Sequence, residues 1–311
     1  LWGIIEAPGR GWSSPPIAGA LAGAAVVIAS FLVWERRIDH PMLPLRFFSR
    51  RRYSVAIGAL ALVLFALLGM FFLMTQYLQF VLGYSPLEAG TRIAPVALAL
   101  LVIAPMSVVV AHRVGTKYVV TGGLAMIALG LALLSRTTVT GTYRDCIGPF
   151  LLLGVGVALA LAPCTESVMG SIPKEEAGVG SATNDTAMQV GGALGVGVLG
   201  TALNLHYQHA MASVITHAGV PAFVQKIIES SLGTALAVAQ RAPKKEGLAL
   251  AVLARHAFVS GMDQALVIAT VVVGMAAILV VVLLPNRGPS PGGEDQLTAE
   301  RVQPELAPEL G

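Results

Sequence analysis

Charge is scarce in this chain. Only 12% of its 311 residues are Asp, Glu, Lys or Arg, against 55% hydrophobic. Soluble domains carry about a quarter charged residues, so this composition cannot present a mostly polar surface to water. The net charge of +3 is small and gives no footing for a nucleic-acid partner. Cysteine is nearly absent: Cys146 and Cys164 are too few for a disulfide framework. On one helix they would lie about 27 Å apart at ~1.5 Å per residue, beyond bridging distance. The chain begins at Leu1 and shows no charged leader followed by a short apolar core and a small-residue cleavage site. Residues 1–5 are expected to be the tail of a span whose beginning is missing. No Walker loop, HExxH, GxSxG or dinucleotide fingerprint stands in a fitting context. Neither ATP-driven work nor an enzyme is signalled, and no cofactor is called for. His206, His209 and His217 lack a cysteine or carboxylate cluster at ligand spacing, which argues against a metal site.

What is abundant is apolar length. Crossing hydrocarbon takes about 20 mostly apolar residues in a helix. Seven stretches qualify, at about 17–34, 54–80, 93–111, 118–134, 147–169, 181–203 and 264–284. In lipid each backbone N–H and C=O must be satisfied within the segment, so these are helices. The runs are rich in Ala, Leu and Gly and lack sustained alternation, which excludes barrel strands. The expectation is an all-α membrane protein of seven transmembrane helices, with the lipid bilayer as its solvent.

Basic residues set the expected orientation. The connection 35–52 holds Arg36, Arg37, Arg46, Arg50, Arg51 and Arg52, and should be a cytoplasmic loop. Alternation then puts 112–117, Lys174 and the C-terminus on the same side, in the cell membrane. Residues 1–16 are read as a span end and outer turn, 17–34 as a transmembrane helix, and 53–203 as five more. Residues 204–260 are read as an outer loop, in which ASVITHAGVPAFVQKIIESSLGTALAVAQ spaces its apolar residues as amphipathic helices do. Residues 261–285 are the last span. The tail 286–311 is rich in Pro, Gly and charge and is expected to be disordered.

Four segments in order, HPMLPLRFF (40–48), FFLMTQYLQFVLGYSPLEAG (71–90), ALAPCTESVMGSIPKEEAG (160–178) and AGVGSATNDTAMQVGGALGVGVLGT (177–201), carry a family resemblance. Together they resemble the drug:proton antiporters of the major facilitator superfamily with fourteen transmembrane segments. The resemblance runs from residue 1 to about 285. It implies that 17–34 is similar to the eighth segment, an extra linker helix between bundles, and that the other six spans form the C-terminal bundle, 53–203 holding its first five helices. Substrates would then bind near the midplane between two bundles. The partners it implies are protons, small hydrophobic or cationic substrates, and a missing N-terminal bundle of the same protein. One alternative is an exporter of a single metabolite or antibiotic. Another, different in class, is a non-transporting membrane subunit.

Ionisable residues within spans are costly, at roughly 3 kcal/mol or more at a helix centre, and mark candidate sites. Ser181, Asp185 and Gln189 fall at i, i+4 and i+8, with Asn184 beside them. A carboxyl shielded from water can exchange a proton near neutral pH and can attract a cation. The alternative is that Asp185 is solvated near the cytoplasmic mouth. Glu166 follows Pro163, whose missing N–H kinks a helix. It is either a cavity carboxylate or an interfacial group reaching water. Gln76 and Gln79, flanked by Tyr77, could bind substrate or simply tie helices together. Ser85-Pro86-Leu87-Glu88 fits a capping box, so Glu88 is read as structural, with Arg92 one turn on. HRVGTK (112–117) stands where the superfamily's basic, glycine-containing loop would recur. That implies structural or gating roles for Arg113, Gly115 and Lys117, although Thr116 replaces a basic residue.

Overall fold

A computed structural model describes residues 2–3, 5–6, 13–38, 45–215 and 222–284. Every element among them is helical. We number the helices α1 (Pro15–Glu35), α2 (Arg51–Gln76), α3 (Pro86–Val114), α4 (Thr116–Leu134), α5 (Tyr143–Met169), α6 (Ala177–Ile215), α7 (Ala222–Ser230), α8 (Leu232–Arg241) and α9 (Lys244–Leu283). Seven of these are long and apolar enough to cross a membrane. The C-terminal tail expected to be disordered, and His217, lie outside the described residues.

Six of the seven spans pack into one bundle. α2 lies on α6 and α5, α3 on α5, α4 on α5 and α9, and α6 on α9. The core between them is apolar, with Leu60, Met70, Leu73, Phe150, Leu153, Met262 and Leu266 buried. α1 stands apart and buries only Ile17 and Glu35. Val26, Val27, Ile28, Phe31 and Trp34 are exposed along it. An apolar helix exposed on all sides is stable only where lipid replaces water.

Glycine sets the closest contacts. A Cβ on Gly191 would lie 2.0 Å from the Ala61 carbonyl oxygen, and one on Gly195 would lie 2.1 Å from that of Phe65. α6 and α2 therefore meet backbone to backbone, as small residues allow in membranes. α4 and α5 meet in the same way, where a Cβ on Gly123 would lie 2.6 Å from the Gly156 carbonyl oxygen.

The bundle has two ends. At the arginine end, Arg46 pairs with Glu176, and Arg50 donates to the Ser171 carbonyl at 2.6 Å. This ties the 3-10 turn Leu45–Ser49 to the α5–α6 connection. At the far end, Tyr143 Oη donates to the Arg92 carbonyl at 2.9 Å. α2 also ends there in a π-helical turn, Tyr77–Val81. The chain then reverses through Gly83, whose φ of +76° is a left-handed conformation that glycine adopts without steric penalty.

The connection read as an outer loop over 204–260 is largely a continuation of spans. α6 runs to Ile215 and α9 begins at Lys244, leaving amphipathic helices only in α7 and α8. The reason is packing: after Leu203, Tyr207 and Met211 remain buried at successive turns beyond the apolar stretch. Tyr207 Oη also donates to the Ile228 carbonyl at 3.1 Å, fastening α6 to α7.

Candidate functional site

The glycine face of α6 is occupied by α2, so its other face is left open. Ser181, Asp185 and Gln189 are all exposed there, with Thr186 alongside. Asn184 does not share this face. It is buried, and its Nδ2 donates to Met188 Sδ at 3.4 Å. Its Oδ1 is enclosed with no hydrogen-bond partner among the described residues. A one-residue step turns a helical side chain by about 100°, which is why Asp185 is exposed and its neighbour Asn184 is buried.

Glu166 lies one turn from the end of α5 and meets His112 of α3, with Nε2 to Oε1 at 2.7 Å. Pro163, the expected kink, is buried just before it. Nothing in the sequence singles out His112, because it stands in a short basic loop and its partner is far away in the chain. Both side chains are substantially exposed, at the arginine end of the bundle.

Of the residues on α2, Gln76 folds back on its own helix, with Nε2 3.4 Å from the Phe72 carbonyl. Gln79 lies part-exposed in the π-turn. Tyr77 is turned inward: it is buried, and its Oη donates to the Thr138 carbonyl at 2.8 Å. It braces the far end and does not join the open face of α6. Glu88 completes a capping box with Ser85 and lies 4.0 Å from Arg92. Gly115, at φ +109°, forms the turn between α3 and α4. Arg113 is exposed beside it and Lys117 is half-buried.

Two features are not legible in the sequence. Asp263 falls just before the apolar run of the last span, yet it lies well inside α9. Its Oδ1 is buried with no hydrogen-bond partner among the described residues. The one signal is a lone carboxylate beside an apolar run. The second is a cavity of about 210 Å³ between residues 5–6 and the far half of α6, lined by Glu6, Thr201, Asn204 and Gln208. Thr201, Asn204 and Gln208 lie in or beside the stretch that reads as loop, so their helical spacing gives no signal there. No group of three potential metal ligands occurs among the described residues.

This is a bundle of six spans with one open, partly polar helix face and carboxylates near both ends. Residues 4–196 match the family model of the Major Facilitator Superfamily. The chain belongs to that superfamily. Its members carry solutes across membranes and are not enzymes as a class, and the fold found here is a multi-pass membrane bundle of the superfamily type. The chain is 32% identical over 277 residues to the multidrug resistance protein Stp of Mycobacterium tuberculosis, covering 87% of this chain and 51% of that protein. It is 30% identical over 281 residues to the tetracenomycin C resistance and export protein of Streptomyces glaucescens, covering 89% and 52%. Against the multidrug efflux pump LfrA of Mycolicibacterium smegmatis the identity is 30% over 283 residues, covering 90% and 55%. The chain thus spans about half the length of the curated relatives it matches.

Proposed function

We propose that this chain supplies the C-terminal bundle of a proton-coupled exporter of hydrophobic or cationic compounds. The observation that carries the reading is the open face of α6, where Ser181, Asp185 and Gln189 lie exposed together. In such folds the substrate site forms between two bundles near the midplane, so a half-length chain leaves its inner face uncovered. Asp185 lies about 12 Å along α6 from Ala177 at ~1.5 Å per residue, deep enough to face a cleft. It would exchange a proton and attract a cationic substrate. Glu166, paired with His112, would take part at the mouth of the same cleft. Arg113, Gly115 and Lys117 would shape the turn that lets α3 and α4 move together. The arginine end would be cytoplasmic, since six arginines cluster in the connection 35–52. The relatives named for multidrug resistance and efflux support this substrate class.

The Streptomyces relative is named for one compound, tetracenomycin C, which favours a second reading as a narrower antibiotic exporter. The test is dye efflux from a drug-sensitive host expressing the bundle joined to its N-terminal partner. Efflux of several unrelated cations, abolished by a proton uncoupler, is the expected result. Efflux indifferent to the uncoupler removes proton coupling. Export confined to one compound selects the narrower reading, and no export at all returns the chain to a non-transporting subunit.

A further inference from the structure

A groove of about 440 Å³ lies between α8 and α9 at the far end, distinct from the open face of α6. Leu236, Leu248 and Ala251 form an apolar wall, and Lys244, Arg255 and Gln240 supply its polar groups. Among the described residues no carboxylate lines it. The floor is tight, since a Cβ on Gly247 would lie 2.2 Å from the Ala239 carbonyl oxygen. Its volume falls within the ~300–1,000 Å³ typical of small-molecule sites.

The two cations are poised for an anion. Neither makes an ion pair among the described residues. Arg255 is half-buried, and its Nε donates to the Phe80 carbonyl at 3.1 Å, its one side-chain hydrogen bond among the described residues. The guanidinium keeps its other N–H donors for a planar anion such as a carboxylate. The surrounding stretch 241–256 holds Arg241, Lys244, Lys245 and Arg255 against the carboxylate of Glu246. Arg255 stands level with the end of α2, and Lys244 lies about 16 Å farther along α9 at ~1.5 Å per residue. The groove therefore lies beyond the apolar run 264–284 of the last span, where an occupant can arrive from water.

We propose that this groove binds a free single-chain anionic amphiphile, its head held by Arg255 within the positive field that Lys244 adds to, and its tail along Leu236, Leu248 and Ala251. Occupancy would be felt by α2, because the same guanidinium holds a carbonyl of the π-turn, a kind of element often found at functional sites.

The test uses the full chain in phosphatidylcholine nanodiscs, with a fluorophore on Ala237→Cys, an exposed position of α8 next to Leu236; the native Cys146 and Cys164 are buried. Decanoate should give a saturable signal. Half-saturation should rise about tenfold or more in the double variant Lys244→Gln, Arg255→Gln. Ala251→Trp, which fills the groove and leaves both charges, should abolish the signal. Folding of each variant is checked by the continued unreactivity of Cys164. Equal half-saturation in all variants overturns the proposal. So does an equal response to decanol or to inorganic phosphate alone. Loss of the decanoate signal in phosphatidylglycerol nanodiscs would assign the groove to bilayer lipid and overturn it as well. None of these readings depends on transport.

Discussion

Asp263 and Asp185 show how differently one side chain can sit in the same bundle. Asp263 has a carboxylate oxygen enclosed without a donor among the described residues, which is a costly arrangement for a charge. Asp263→Asn keeps the shape and removes the charge, so the thermal midpoint in detergent at neutral pH is expected to hold or rise. A marked fall would show that the carboxylate has a partner essential to the fold. Asp185 is exposed, and its substitution should spare the fold while removing function. In the joined transporter, Asp185→Asn is expected to cut proton-driven dye efflux at least tenfold with expression unchanged, and Asp185→Glu to retain part of it. Full efflux in the asparagine variant would remove Asp185 from the pathway. The His112 and Glu166 pair is exposed, and exposed pairs contribute about 0–1 kcal/mol. His112→Gln should therefore barely move stability, whatever it does to transport. That Asp185 and Gln189 share a face was legible from their spacing. That Tyr77 and Asn184 are turned away was not, because it depends on which neighbour each one meets.

At the scale of helices, the contact between α2 and α6 is the most exacting. Gly195→Ala would press a methyl into the Phe65 carbonyl and is expected to cost about 1–3 kcal/mol by overpacking. At Gly58 and Gly122 an added Cβ would meet nothing within 4 Å. Their alanine variants should be neutral or gain about 0.4–1 kcal/mol by restricting the unfolded chain. Equilibrium unfolding in mixed micelles separates the two classes; equal effects would mean that the close approach is not maintained. Capping is a second element-level device. Ser85→Ala removes the acceptor for the Glu88 N–H at the start of α3 and should cost about 0.5–2 kcal/mol. The capping box could be read in the sequence because its four residues are contiguous. The π-turn could not, since it is stabilised by Thr138 and Arg255, which lie far away along the chain.

The whole molecule is a bundle that leaves much of its surface apolar. Leu98, Leu101, Val102, Met106 and Val109 of α3 are exposed, as is most of α1. Only hydrocarbon or another bundle can cover such faces. The chain alone is therefore expected to need detergent or lipid for recovery, and its appearance as a monodisperse species in a detergent-free soluble fraction would contradict the membrane fold. By itself the sequence determined the number of spans, their helical character and the family. Those follow from apolar length and from backbone hydrogen bonds that close within a segment, and both are local properties. Only the tertiary structure decided how far α6 and α9 extend, which polar side chains share a face, that Glu166 meets His112, and that Arg255 reaches Phe80. Such facts depend on two helices being side by side, and hydropathy along one chain does not say which helix will be the neighbour.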